Sequence, residues 1–84
     1  MNNKIVVSIY VPGLDETYDV FIPVGRKVKN IIVLCSKTIS ELSNGAFSPS
    51  DGKRLFNKLT GEEYNLEVVI KSTDIRNGTT LILL

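Results

Sequence analysis

Apolar residues fall on every second position in two stretches near the start of the chain. Ile5, Val7 and Ile9 alternate with β-branched and polar neighbours, which predicts a strand with one face toward a core. Pro12-Gly13 opens a polar connection through Leu14-Asp15-Glu16. A second alternation follows, with Tyr18, Val20 and Ile22 on one face and Thr17, Asp19 and Phe21 on the other. Two alternating runs joined by a short loop predict an antiparallel hairpin. Pro23 and Gly25 end it.

The period then changes. Val28, Ile31, Ile32, Cys35, Ile39 and Leu42 recur at spacings of three and four between Lys27 and Ser43, which predicts an amphipathic helix of roughly four turns. Lys29, Asn30, Ser36, Lys37, Ser40 and Glu41 fill its opposite face, and Val33 and Leu34 flank the stripe. Asn44-Gly45 supplies a left-handed stop. Ala46 to Gly52, with Ser48-Pro49-Ser50-Asp51-Gly52, reads as a turn-rich loop. Lys53 to Asn57 predicts a third strand, Leu59 to Glu62 a turn, and Glu63-Tyr64 a brief fourth strand. A helical turn is expected over Ser72 to Ile75, capped by Ser72 or Thr73. Asn77-Gly78 turns the chain into a last strand, Thr79 to Leu84. This order suits an α+β sheet covered on one face by a single helix.

Length and composition narrow the function classes. Eighty-four residues make one domain, 1–84, with a small core. Ten basic and nine acidic residues give a net charge of +1, and no like-charge run exceeds a pair. That balance argues against nucleic acid or an anionic membrane as partner. No apolar run approaches the ~20 residues of a membrane helix. The apolar stretch Ile5 to Val11 is too short and too interrupted for a secretory signal. One cysteine cannot form an internal disulfide and fits a reducing compartment, so a cytoplasmic location is expected.

The chemistry of the side chains points away from catalysis. Histidine, the commonest general base and metal ligand, is missing. Cys35 lies on the apolar stripe, where burial would blunt its reactivity. The acidic pairs Asp15-Glu16 and Glu62-Glu63 sit in expected turns, where successive side chains diverge. The six glycines are scattered singly and form no phosphate-binding loop. No enzymatic activity, catalytic residue, metal or cofactor is expected.

Four stretches carry a resemblance to a known family. The ending Asp74 to Leu84 resembles the end of a ubiquitin-like fold. Tyr18-Asp19-Val20-Phe21-Ile22-Pro23, Val28-Lys29-Asn30-Ile31-Ile32, Arg54-Leu55-Phe56-Asn57-Lys58 and Ile75-Arg76-Asn77-Gly78 leading into Leu81-Ile82-Leu83 resemble the small ubiquitin-like YukD/EsaB proteins of type VII (WXG100) secretion loci. The resemblance implies a ubiquitin-like β-grasp whose mixed sheet has the strand order 2-1-5-3-4. It also implies a bacterial accessory or regulatory role in secretion, exercised by binding a protein partner such as a membrane-anchored secretion component.

Combined with that strand order, the alternation directs Ile5, Val7, Ile9, Tyr18, Val20, Ile22, Leu55, Leu81 and Leu83 inward. Val6, Ser8, Tyr10, Phe21, Phe56, Ile82 and Leu84 are left facing out. Val6, Phe56, Ile82 and Leu84 are expected to form one apolar patch, bordered by Arg54, Lys58 and Lys53, and such a patch suits a partner surface or a weak homo-oligomer. The same residues also suit plain strand positions partly covered by loops. A sulfur carrier or protein modifier of the same fold is the alternative. It needs a C-terminal Gly-Gly, where this chain has Leu83-Leu84. A nucleic-acid-binding or ligand-binding β-grasp is a third reading, weakened by the near-neutral charge.

Overall fold

The computed structural model describes residues 3–49 and 52–84; Ser50 and Asp51 of the expected turn-rich loop lie outside them. The hairpin forms as its alternation predicts. Strand β1 (Lys4–Val11) pairs antiparallel with β2 (Glu16–Pro23), Val7 opposite Val20 and Ile9 opposite Tyr18. Pro12 starts the turn between them, and Asp15 closes it with φ 50°, a left-handed conformation that aspartate tolerates better than most residues. Helix α1 (Val28–Leu42) follows. Strand β3 (Leu55–Asn57), a single 3₁₀ turn (Ile70–Ser72) and strand β4 (Thr80–Leu83) complete the described elements.

The sheet order is β2-β1-β4-β3, with β4 parallel to β1 and antiparallel to β3. This is the β-grasp order, with the last strand placed centrally. The expected fourth strand at Glu63-Tyr64 is reduced to one isolated bridge, Glu63 opposite Phe56. Gly61 bends the chain with φ 78°, so residues 62–64 touch β3 and then leave it. The β3–β4 ladder runs one pair further than the strands themselves, because Arg54 and Leu84 exchange both backbone hydrogen bonds, at 2.6 and 2.9 Å.

The core lies between the inner sheet face and α1. Val7, Ile9, Val20, Ile22, Leu55, Leu81 and Leu83 meet Val28, Ile31, Ile32, Cys35 and Ile39. Ile5 and Tyr18 are only partly buried at its margin. Full burial of one such side chain is worth ~1.5–3 kcal/mol. Burial alone pushes the Cys35 thiol up to about 12, which keeps it protonated.

Four local expectations are corrected. Leu42 is 58% exposed, because the last helical turn overhangs the core and Phe47 folds back to close it. The Phe47 amide donates to Ser43 Oγ, and its ring receives Lys53 Nζ at 4.8 Å. Ser36, expected on the solvent face, is buried; it sits one turn above Ile32, where the stripe is wider than the apolar residues alone suggest. The helical turn begins at Ile70 rather than Ser72, since Ile70 inserts into the core. Its N-cap is Val69, which makes no side-chain cap bond. Thr73 instead closes the other end, donating its amide and Oγ1–H to the Ile70 carbonyl.

The segment 65–71 serves the start of α1. Lys27 offers no side-chain cap, yet the first helical amides must find acceptors. Val28 N–H donates to the Val68 carbonyl and Lys29 N–H to that of Leu66. Lys27 and Lys29 are cations at the positive end of the helix dipole, an unfavourable position. Glu67 offsets them, with a carboxylate oxygen 3.2 Å from each ammonium.

Candidate functional site: the outer face of the sheet

The strands that build the core also place every second residue outside. Ile82 is the centre of this face, with Tyr10 of β1 opposite it on one side and Phe56 of β3 on the other. Tyr10, Ile82 and Phe56 are each partly exposed. Leu84 extends the apolar row and is 53% exposed. Four apolar side chains on neighbouring strands thus form one continuous strip.

Val6 does not join it. Val6 lies opposite Phe21, accepts from Gly78 N–H and donates its amide to Asn77 Oδ1 at 2.9 Å. The row between Val6 and Ile82 is polar: Ser8 Oγ donates to Asp19 at 2.8 Å, and Ser8 faces Thr80 across the parallel ladder. The expectation of one patch containing Val6 is therefore corrected by register. Val6 and Phe21 make a second, smaller apolar pair at the β2 edge.

The cations at the border have partners and stay exposed. Lys58, anchored through its amide to the Thr80 carbonyl, carries its ammonium to 5.4 Å from the Tyr10 ring centre. Its methylenes thereby cross the face beside Ile82, a common use of a long side chain. Arg54 Nε lies 3.7 Å from a Glu63 carboxylate oxygen, a solvent-exposed pair that holds it only weakly. Tyr10 donates to Asp15 at 2.8 Å, and that hydrogen bond holds its phenol above the ordinary value. The rim is polar and balanced, and Lys53 has left it for Phe47.

Two features of this surface have little or no signal in the sequence. Leu59 is 94% exposed in the turn after β3, beside a shallow depression lined by Asn57, Lys58, Gly78, Thr79 and Thr80. An apolar residue inside an otherwise polar turn was its only signal. The turn is built by Asn57, whose Oδ1 accepts from the Leu59 and Thr60 amides. Asn57 Nδ2 donates to Tyr64 Oη, which donates to Asp74 at 2.6 Å. Burial, then the hydrogen bond to Asp74, push the Tyr64 phenol up to about 12. This relay fixes the turn that presents Leu59, and no local sequence pattern announces it.

No family model matches the chain, and no curated protein matches it in sequence. Solved structures do match in shape. The ubiquitin-like domain of the type VII secretion system protein ECCD1 of Mycobacterium tuberculosis superposes with a TM-score of 0.78 at 14% identity, over 100% of this chain and 99% of that one. The N-terminal ubiquitin-like domain of the 4931431F19Rik protein gives 0.72 at 19% identity, over 100% and 76%. A chain of the toluene 4-monooxygenase complex gives 0.75 at 10%, over 95% of each. At these identities the likeness establishes a ubiquitin-like β-grasp fold, and one fold serves many functions.

Proposed function

We propose that this chain is a ubiquitin-like protein-interaction module that docks through the outer sheet face. Its setting would be the cytoplasmic side of a bacterial type VII secretion apparatus, as an accessory or regulatory component. The observation that carries the docking reading is the strip Tyr10–Ile82–Phe56–Leu84, apolar residues on three neighbouring strands held facing solvent. Contiguous exposed apolar surface on a small domain suits a partner site. Leu59 extends it at one end, and the balanced polar rim suits specificity more than long-range attraction. The secretion setting is supported by the family resemblance and by the shape likeness to the ECCD1 domain. The partner would be an apolar segment of a membrane-anchored secretion component, and the module itself would contribute no catalytic group.

The test is capture of a solubilised type VII membrane complex on the immobilised domain. Phe56→Ala and Ile82→Ser are each expected to abolish capture while amide spectra show the fold intact. Equal capture by the folded variants would end the docking reading. Capture of other proteins alone, with none from the secretion complex, would end the secretion setting and leave the surface.

A further inference from the structure

The sheet has two edges, and they are treated differently. At the β3 edge, Asn57 N–H donates to the Glu62 carbonyl and Tyr64 N–H to that of Leu55, so residues 62–64 cover it. At the β2 edge, no described strand pairs beyond β2. The register shows which of its groups are open. Val6 and Ser8 aim their amides at the β4 side, at Asn77 Oδ1 and the Thr79 carbonyl. Their antiparallel partners Phe21 and Asp19 must then aim their own amides and carbonyls away from β1. Phe21, 68% exposed, stands on this open edge.

The edge is also electrically asymmetric along its length. Asp15, Glu16 and Asp19 lie at its beginning. Arg26 lies past its end, where Lys4 sits opposite Pro23. Open strand edges invite pairing with another chain, and this distribution selects the partner. Acid at one end and base at the other is self-complementary only when the second strand runs antiparallel.

We propose that β2 pairs antiparallel with β2 of a second copy of this chain, about a two-fold axis at Phe21, giving one sheet continuous across two molecules. Phe21 then faces Phe21 of the second copy, an aromatic cross-strand pair of the kind that stabilises sheets. Asp19 N–H donates to the Pro23 carbonyl of the second copy; proline has no N–H to return, so the Asp19 carbonyl of that pair is left to water. The acidic start of β2 comes toward the basic end of the second copy, where Arg26 lies in the turn past Pro23, and the symmetry repeats each contact. Registers that place Asp19 opposite Asp19 are disfavoured by like charge. On the helix side, the groove of about 330 Å³ lined by Phe21, Pro23, Arg26, Asn30 and Leu34 lies along the same edge and is covered by the added strand. The strip around Ile82 is untouched, so this pairing is independent of the docking reading above.

Sedimentation velocity from micromolar to millimolar protein tests the pairing, since a short ladder gives a modest interface. The expected result is a dimer fraction that rises with concentration. Phe21→Asp and Arg26→Glu should each weaken it about tenfold or more, and Glu16→Arg combined with Arg26→Glu should recover it. Asp19→Pro removes an edge amide and, with it, the side-chain acceptor of Ser8; it should abolish the dimer, and Asp19→Ala, which removes only the side-chain contact, should keep it. Amide exchange at Phe21 and Asp19 should slow with concentration while Val20 and Ile22 stay unchanged. A monomer throughout overturns the proposal. So does a dimer indifferent to Phe21→Asp and lost on Ile82→Ser, which would place the contact on the outer face. Edge amides that slow only when a different extended peptide is added would likewise overturn it, assigning the edge to a foreign strand.

Discussion

Leu81 and Ile82 are neighbours on β4 with opposite fates. Leu81 is fully buried against α1, whereas Ile82 faces solvent between Tyr10 and Phe56. The same contrast runs across the whole sheet. The inner face is a dry aliphatic layer with every strand contributing, while the outer face mixes apolar side chains with ion pairs and hydroxyls. A period of two lets one set of strands hold the fold and present a surface, and the two tasks can be damaged separately.

The largest effect is expected on the inner face. Leu81→Ala removes a fully enclosed side chain from the central strand and should lower unfolding free energy by about 2–5 kcal/mol, read as a shifted midpoint in urea with an unchanged slope. A loss under about 1 kcal/mol would mean that the core relaxes around the gap, and the inner face would not be the rigid partner in the comparison.

Asn57 is the exception on the inner face, a buried amide at an inward position. Asn57→Ala leaves the Leu59 and Thr60 amides without their acceptor and takes one of the two partners of the Tyr64 hydroxyl, at a cost of about 1–3 kcal/mol. The turn carrying Leu59 should also lose order, measurable as faster amide exchange at Leu59 and Thr60 than at Leu81. Exchange rates that stay equal would show that Gly61 and the Glu62 contact hold the turn unaided.

On the outer face, Ile82→Ser should change stability by less than about 1 kcal/mol, as surface substitutions usually do, while removing partner capture. A stability loss as large as that of Leu81→Ala would erase the distinction between the faces. It would mean that Ile82, clasped by Tyr10 and Phe56, is part of the core.

Much of this division was legible in the sequence, because burial imposes a period and the chain keeps it. Val7, Ile9, Val20, Ile22, Leu55, Leu81 and Leu83 alternate with their outward neighbours, and Val28 to Ile39 keep the helical spacing. What the period could not report is lateral register. Nothing in a single strand says that Val6 faces Gly78 and Phe21 while Tyr10 faces Ile82, since pairing offsets depend on turn geometry elsewhere. Residues serving as bonds between segments were equally hidden. Leu66 and Val68 belong to no periodic run, yet their carbonyls stand in for a helix cap. Phe47 and Ile70 enter the core from segments with no periodicity to read.

The smallest expected effect lies where the two layers are joined, at the start of α1. The ammonium groups of Lys29 and Lys27, by hydrogen bonding and charge, hold the Glu67 carboxyl below its ordinary value. A carboxyl whose folded value is depressed binds its proton less readily than in the unfolded chain. Its contribution to stability is therefore full above the unfolded value and fades as pH falls through the folded one. All three side chains are substantially exposed, so salt should weaken the effect. Glu67→Gln should flatten the acid limb of the stability–pH curve slightly and leave the plateau near neutrality only marginally lower. Leu81→Ala should instead displace the whole curve downward without altering its shape. An acid limb unchanged by Glu67→Gln would show that the carbonyls of Leu66 and Val68 hold this segment to the helix, with the ion pairs adding nothing measurable.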